Sequence, residues 1–110
     1  MKIKALILAA SLGIIALSST FSFAETVWID VRTLSESRRD NIAGDLRISH
    51  SNIVKEIPNF YPDKNTEISL YDNTGGRSDI AISALKEAGY KNLHNAGSIE
   101  EARKERGLTK

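Results

Sequence analysis

The segment from Ser69 to Ala81, SLYDNTGGRSDIA, contains the residues best suited to chemistry in this sequence. Its pattern predicts the end of a strand, a tight polar loop and the start of a helix. In parallel α/β sheets, ligands bind outside the carboxyl ends of strands, and the free N–H groups and dipole of a helix start favour negative charge. The loop is therefore a candidate anion site, although Asp72 places a negative charge at its mouth.

The residue types of the candidate anion-binding loop suggest how it would work. Adjacent glycines let backbone N–H groups converge on one point, an arginine can add a bidentate charge, and a serine can cap the helix. An ordinary strand–helix turn with a solvent-facing arginine is the competing interpretation, because glycine-rich loops are weak motifs. The loop consists of Asp72, Asn73, Thr74, Gly75, Gly76, Arg77 and Ser78.

Asp72 itself has three interpretations. A nucleophile for phosphoryl transfer would need Mg²⁺ held by further carboxylates, and no acid follows two residues on. A metal ligand would need partners, and neither His50 nor His94 has ligand spacing with another histidine, so we predict no metal and no cofactor. A resident anion would accept the loop's own N–H groups, which would lower its pKa and lock the loop. We favour the resident anion.

The elements that must position this loop alternate along the chain. Short apolar and β-branched runs predict strands in TVWIDV, DLRIS, TEISLY and YKNLHNAGS, with Ile68 and Leu70 on one side of the third. Helical patterns separate these strands. This order predicts an α/β fold with a small, mostly parallel sheet flanked by helices.

The helical patterns differ in strength. A short polar helix is expected around Ser35–Asp40, and a second is expected to be capped by Ser49 or Ser51 and to end at Pro58. Ser98, with Glu101 three residues on, predicts a capping box for the last helix. The apolar faces of the second and third helices are predicted to consist of Ile53, Val54 and Ile57, and of Ile80, Ala81, Ala84, Leu85 and Ala88 with Gly89 at C′.

The beginning of the chain has the pattern of a secretory signal peptide. Lys2 and Lys4 precede an apolar run from Ala5 to Leu17, and small residues up to Ala24 suit cleavage. The run is shorter than the roughly 20 residues that span a bilayer, although an uncleaved anchor is the alternative. We predict that residues 1–24 are a signal peptide, that residues 25–110 form one domain, and that the cleaved protein has no stable membrane insertion.

Charge and cysteine content exclude several functions. Without Lys2 and Lys4, acidic residues outnumber basic ones by one, so nothing favours nucleic acid. The sequence contains no cysteine, which excludes thiol catalysis, persulfide chemistry and cysteine-based metal sites. The domain must therefore be stabilised by its core alone, and we expect a monomer.

Several separated motifs resemble those of a single-domain rhodanese, in particular the small periplasmic phage-shock type. They are WIDVR at Trp28–Arg32, then Gly44, and the run ISLYDNTGGRSDIAISALKEAGYKNLHNAGS at 68–98. The family's loop is Cys-x-x-Gly-x-Arg-Ser, and Asp72 occupies the position of its cysteine. The resemblance implies a rhodanese-like three-layer fold and an ancestry in sulfane-sulfur transfer, and the signal peptide predicts a periplasmic location.

The departures from the family pattern concern chemistry more than fold. The resemblance implies that in active members the cysteine takes sulfur from thiosulfate or a polysulfide and passes it on through a persulfide. Asp72 cannot form a persulfide. Asp30 and Arg32 match the family's DVR and are interpreted as a structural pair near the site. The family's GHIxGAxNIP and final GG have drifted at Asn41, Asp45, Arg47, Ser49 and Ser98.

These observations predict an exported, catalytically silent rhodanese-like domain that binds or regulates, with a protein or a small anionic ligand as its partner. The alternatives are a sulfurtransferase by family ancestry, and a hydrolase with Asp72 as nucleophile or base and Arg77 holding an oxyanion. A resident anion requires at least two loop N–H groups on the carboxylate and a lowered pKa. A hydrolase requires an exposed carboxylate with a normal or raised pKa.

Overall fold

The computed structural model describes residues 25–110, so the predicted signal peptide lies outside the described residues. None of the helices within 25–110 is long and apolar enough to cross a membrane. Strands and helices alternate in the predicted order: β1 Val27–Asp30, α1 Leu34–Arg39, β2 Leu46–Arg47, α2 Ile53–Phe60, β3 Glu67–Asp72, α3 Gly76–Glu87, β4 Asn92–Ser98 and α4 Ile99–Glu105.

In this part of the chain the strands form one parallel sheet in the order β2-β1-β3-β4. Parallel neighbours require a crossover, and each crossover here contains a helix. A register shift between Leu70 and Tyr71 lets β4 continue until Asp72 lies beside Ser98. The carboxyl ends of β1, β3 and β4 therefore meet at one edge, where the candidate loop begins.

Alternation along β3 separates two apolar clusters, one on each face of the sheet. Ile68 and Leu70 belong to the larger cluster, which α2 and α3 cover, whereas Tyr71 belongs to a smaller cluster covered by α4. The resulting helix–sheet–helix layers confirm the predicted α/β class. The helices contribute Ile53, Ile57, Ala81 and Leu85 to the larger cluster and Ile99 and Ala102 to the smaller one.

The prediction for α2 was wrong at both ends. Asn52, rather than Ser49 or Ser51, occupies the N-cap position, without a capping hydrogen bond from its side chain, and the helix continues through Pro58 to Phe60. Pro58 has no N–H to donate to the carbonyl four residues earlier, so the helix contains it with one backbone hydrogen bond fewer. Val54, expected on the buried face, is 39% exposed.

The prediction for the buried face of α3 was wrong at Ile80, which is 59% exposed. The buried positions are Ser78, Ala81 and Leu85, which recur with helical spacing. Because Ser78 turns inward to the loop, the helix is rotated so that Ile80 faces solvent. The predicted caps of α3 and α4 are confirmed by Gly89, with φ of +100°, and by the Ser98–Glu101 capping box.

Candidate functional site

The carboxylate of Asp72 lies inside the loop, and the residue is only 1% exposed. Oδ1 accepts hydrogen bonds from the Gly75 N–H at 2.9 Å, the Ser78 N–H at 3.3 Å and the Ser78 hydroxyl at 2.8 Å. Oδ2 accepts from the N–H groups of Thr74 at 3.4 Å and Arg77 at 3.2 Å. Four backbone N–H groups of the loop thus point at a carboxylate that belongs to the chain itself.

Two opposing effects set the pKa of Asp72. Burial favours the neutral acid and raises the pKa. Hydrogen bonds from the Ser78 hydroxyl and from the N–H groups of Arg77, Thr74 and Ser78 favour the carboxylate, and they outweigh burial, so the pKa lies below its ordinary value. The resident-anion hypothesis requires this geometry and this direction, whereas a hydrolytic Asp72 requires an exposed carboxylate with a normal or raised pKa.

Gly75 provides the turn that brings these N–H groups together. Its φ is +93°, in the left-handed region that glycine adopts without strain. A Cβ at this position would lie 3.4 Å from Cα of Gly97, so β4 also limits the space. Asn95 fixes the contact, because its amide donates to the Gly75 carbonyl at 2.9 Å and its oxygen accepts from the Gly97 N–H at 2.8 Å.

The Arg77 guanidinium is held by a residue that the sequence analysis did not single out. It donates to both carboxylate oxygens of Glu36 in α1 at 2.7 and 2.9 Å, and its Nε lies 3.6 Å from Oδ2 of Asp72. Glu36 also accepts from the Asn73 amide at 2.7 Å and completes a capping box with Thr33. The Thr33-x-x-Glu36 spacing could have located Glu36, but nothing in it indicates contact with the loop.

Hydrogen bonding to Arg77, and then to the Thr33 N–H, lowers the pKa of Glu36 well below its ordinary range. Hydrogen bonding to Glu36 correspondingly raises the pKa of Arg77. The cation of the loop is therefore paired within the chain, and it braces α1 against α3.

Asp30 and Arg32 form a buried ion pair beside the loop, 2% and 3% exposed. The Asp30 carboxylate accepts from Nε and an Nη of Arg32 at 3.0 and 2.9 Å, and from its backbone N–H at 2.9 Å. Arg32 also donates to the Asp40 carbonyl and, at 3.4 Å, to the Asn73 side chain. These contacts fit a structural role, because all three guanidinium nitrogens of Arg32 donate to atoms of the chain.

The segment that differs from the family pattern has contacts of its own. Asp45 accepts from the Tyr71 hydroxyl at 2.7 Å and from both terminal nitrogens of Arg106 at 2.7 and 3.0 Å. Arg47 donates to the Arg32 carbonyl at 3.0 Å, and Asn41 to the Ser37 carbonyl at 2.9 Å. These three changed residues therefore form hydrogen bonds with other groups of the protein.

An open cleft of about 530 Å³ lies beside the loop. Two carboxylates line it, those of Asp79 and Glu101, and no basic residue does. No group of three or more potential ligands within 25–110 could hold a metal ion, and His94 instead contacts Glu105 at 3.0 Å. The remaining lining residues are Thr74, Gly75, Gly76, Asn95, Ala96 and Gly97.

The profile of the rhodanese-like domain family matches residues 17–105 of the chain. Residues 17–24 of that match fall within the segment predicted to be a signal peptide. No curated protein matches the sequence.

Solved structures give the same result for the fold. A rhodanese with anions from E. coli is similar at 31% identity, with a TM-score of 0.66 over 70% of this chain and 91% of the other. A rhodanese-like domain from Anabaena sp. is similar at 20% identity, with a TM-score of 0.69 over 80% and 82%. A thiosulfate sulfurtransferase from Pseudomonas aeruginosa matches at 23% identity and a TM-score of 0.62, over 73% of this chain but only 15% of its own length.

Proposed function

This chain belongs to the family of rhodanese-like domains, and we propose that it retains the family's loop without the family's sulfur transfer. The observation that carries the proposal is the Asp72 carboxylate inside the loop, where it accepts four backbone N–H groups and a hydroxyl. In this interpretation Asp72 stands where active relatives carry the persulfide-forming cysteine. A carboxylate has no sulfur to carry, and the chain has no cysteine that could replace it.

The pairing of charges supports a binding or regulatory module rather than an enzyme. An incoming anion would need free N–H groups and a free cation, but Asp72 takes the N–H groups and Glu36 takes Arg77. The neighbouring cleft is lined by Asp79 and Glu101, which would repel an anion. We therefore favour a protein partner over a small anionic ligand.

Export to the periplasm is the second part of the proposal. It is supported by the lysine-flanked apolar run and the small residues before Glu25. The test is the intact mass of the protein recovered from a periplasmic fraction. The expected chain begins at Glu25, and a full-length chain recovered from the membrane would contradict export with cleavage.

A sulfate titration followed by NMR tests the resident anion. In the native protein the amide signals of residues 74–78 are expected not to shift, because the carboxylate already occupies their N–H groups. In Asp72→Ala the same amides should shift saturably, because sulfate can replace the lost carboxylate. Glu87→Ala, which removes an exposed carboxylate at the other end of α3, is the control and should behave like the native protein. Saturable loop shifts in the native protein, or none in folded Asp72→Ala, would contradict the proposal.

A further inference from the structure

Helix α4 has a small apolar attachment to the sheet. Only Ile99 and Ala102 of this helix join an apolar cluster, whose other buried members are Ile42, Tyr71 and Ala96. The helix spans Ile99–Glu105, and its third buried residue is Arg103, a charged one. Helices with few buried apolar contacts lie at the low-stability end of a structure and can open locally.

Two bidentate arginine–aspartate pairs, called the forks below, also attach the helix, together with an exposed contact of Glu105 with His94 and a hydrogen bond from Arg103 to the Asn41 carbonyl. Arg103 donates to both carboxylate oxygens of Asp40 at 2.6 and 3.1 Å. Arg106, at the end of the helix, binds Asp45 in the same way and stacks on Trp28, 4.3 Å from the ring centre. Both aspartates lie between α1 and β2, so the forks join α4 to a separate segment of the chain.

The start of α4 also forms a wall of the cleft beside the loop. Glu101 lines that cleft and accepts from the Ser98 N–H at 2.9 Å in the capping box. Gly97 packs so closely on Glu101 that an added Cβ would overlap its carboxylate. Gly75, in the turn of the loop, lines the same cleft. Movement of α4 away from the sheet would therefore widen the cleft.

We propose that α4 is a strap, latched by the two forks, whose local opening widens the cleft beside the loop without unfolding the sheet. The forks latch the strap because a bidentate arginine–carboxylate pair is directional and partly protected from solvent here, with Asp45 7% and Arg103 9% exposed in their side chains. The proposal does not depend on whether the protein transfers sulfur.

Native-state hydrogen exchange of the purified protein, measured over a series of low urea concentrations, tests the strap. Amides of α4 are expected to exchange through an opening with much weaker urea dependence than the opening that exposes β3, because local opening exposes little surface. Asp40→Asn/Asp45→Asn removes the negative charge and one of the two acceptor oxygens of each fork without changing α4 itself. It should speed α4 exchange by about tenfold or more relative to the native protein.

The control is Glu56→Gln/Glu87→Gln, which removes two negative charges from α2 and α3, and it should leave α4 exchange within about twofold of native. If α4 and β3 exchange with the same urea dependence, the helix opens only on global unfolding and the strap is excluded. If the double aspartate variant leaves α4 exchange unchanged, the forks are not the latch.

Discussion

At the scale of single residues, Asp72 shows how donors from the same chain can stabilise a buried charge. An isolated carboxylate at 1% exposure would be strongly disfavoured, but this one is surrounded by donors on both oxygens. The donors come from the loop, so the charge and the loop conformation stabilise each other. Removing the charge should therefore destabilise the fold as well as change the site.

The first prediction concerns Asp72→Asn. An asparagine has one acceptor oxygen, and its NH₂ group would face backbone donors, so at least one buried N–H loses its partner. We expect the free energy of unfolding to fall by about 2 kcal/mol in urea denaturation. Glu87→Gln, an exposed change at the other end of α3, should cost no more than about 0.5 kcal/mol. Equal effects of the two variants would contradict the account of Asp72.

The second prediction is a dependence of stability on pH. The folded-state pKa values of Asp72, Glu36 and Asp40 lie below their ordinary values. In acid the unfolded chain therefore binds more protons, so the stabilisation is complete above about pH 5 and is lost as the pH falls through the folded-state pKa values. In Asp72→Asn the unfolding free energy should fall less steeply with decreasing pH, as measured between roughly pH 3 and pH 7. If Asp72→Asn leaves the pH dependence of the unfolding free energy unchanged, the pKa of Asp72 is not lowered by folding.

At the scale of elements, the junction between β4 and α4 is the most constrained. Gly97 and Gly44 both have a positive φ, +86° and +91°, but only Gly97 faces another residue, because nothing lies within 4 Å of a Cβ at Gly44. An alanine at either position would therefore suffer backbone strain, but only an alanine at Gly97 would also contact Glu101.

The third prediction compares Gly97→Ala with Gly44→Ala in thermal and urea denaturation. Alanine should cost roughly 1 kcal/mol at either position through left-handed backbone strain. At Gly97 the added methyl should also displace Glu101 from the Ser98 N–H, which costs about 1 kcal/mol more through loss of the cap. Equal costs would mean that Glu101 moves aside without weakening the capping box.

The fourth prediction concerns the contact between α1 and α3. Glu36→Gln removes the charge that pairs with Arg77, and it should reduce the unfolding free energy by about 1 kcal/mol, a value lowered by partial exposure of the pair. Glu87→Gln, an exposed change at the end of α3, is the control and should be near neutral. If Glu36→Gln leaves the unfolding free energy unchanged, the ion pair between Glu36 and Arg77 does not stabilise the fold.

Much of each element could be predicted because the signals are local. The capping box at Ser98, the C′ glycine at Gly89 and the alternation of β3 depend on neighbouring residues, and the structure contains them. Ile80 was misplaced because the tertiary contact of Ser78 with Asp72 rotates the helix. Glu36 was missed as a loop partner because its contact with Arg77 is also tertiary and joins residues 41 positions apart.

At the scale of the whole molecule, the order of strands and helices predicted the α/β class, and the sheet is parallel throughout the described residues. The family resemblance added two predictions: the rhodanese-like fold, and the identification of the loop with the family's active-site loop. Charge pairing over long sequence separations could not be predicted, because Arg103–Asp40 and Arg106–Asp45 join residues more than 60 positions apart. These pairs join α4 to the segment between α1 and β2, and the double aspartate variant tests whether they latch the strap.

The most direct test of the central claim is a thiosulfate:cyanide sulfur-transfer assay on the purified native protein. The account predicts no thiocyanate beyond the protein-free reaction at any protein concentration, because Asp72 cannot form a persulfide and the chain has no cysteine. Thiocyanate formation that saturates with thiosulfate and rises in proportion to the native protein would contradict the account.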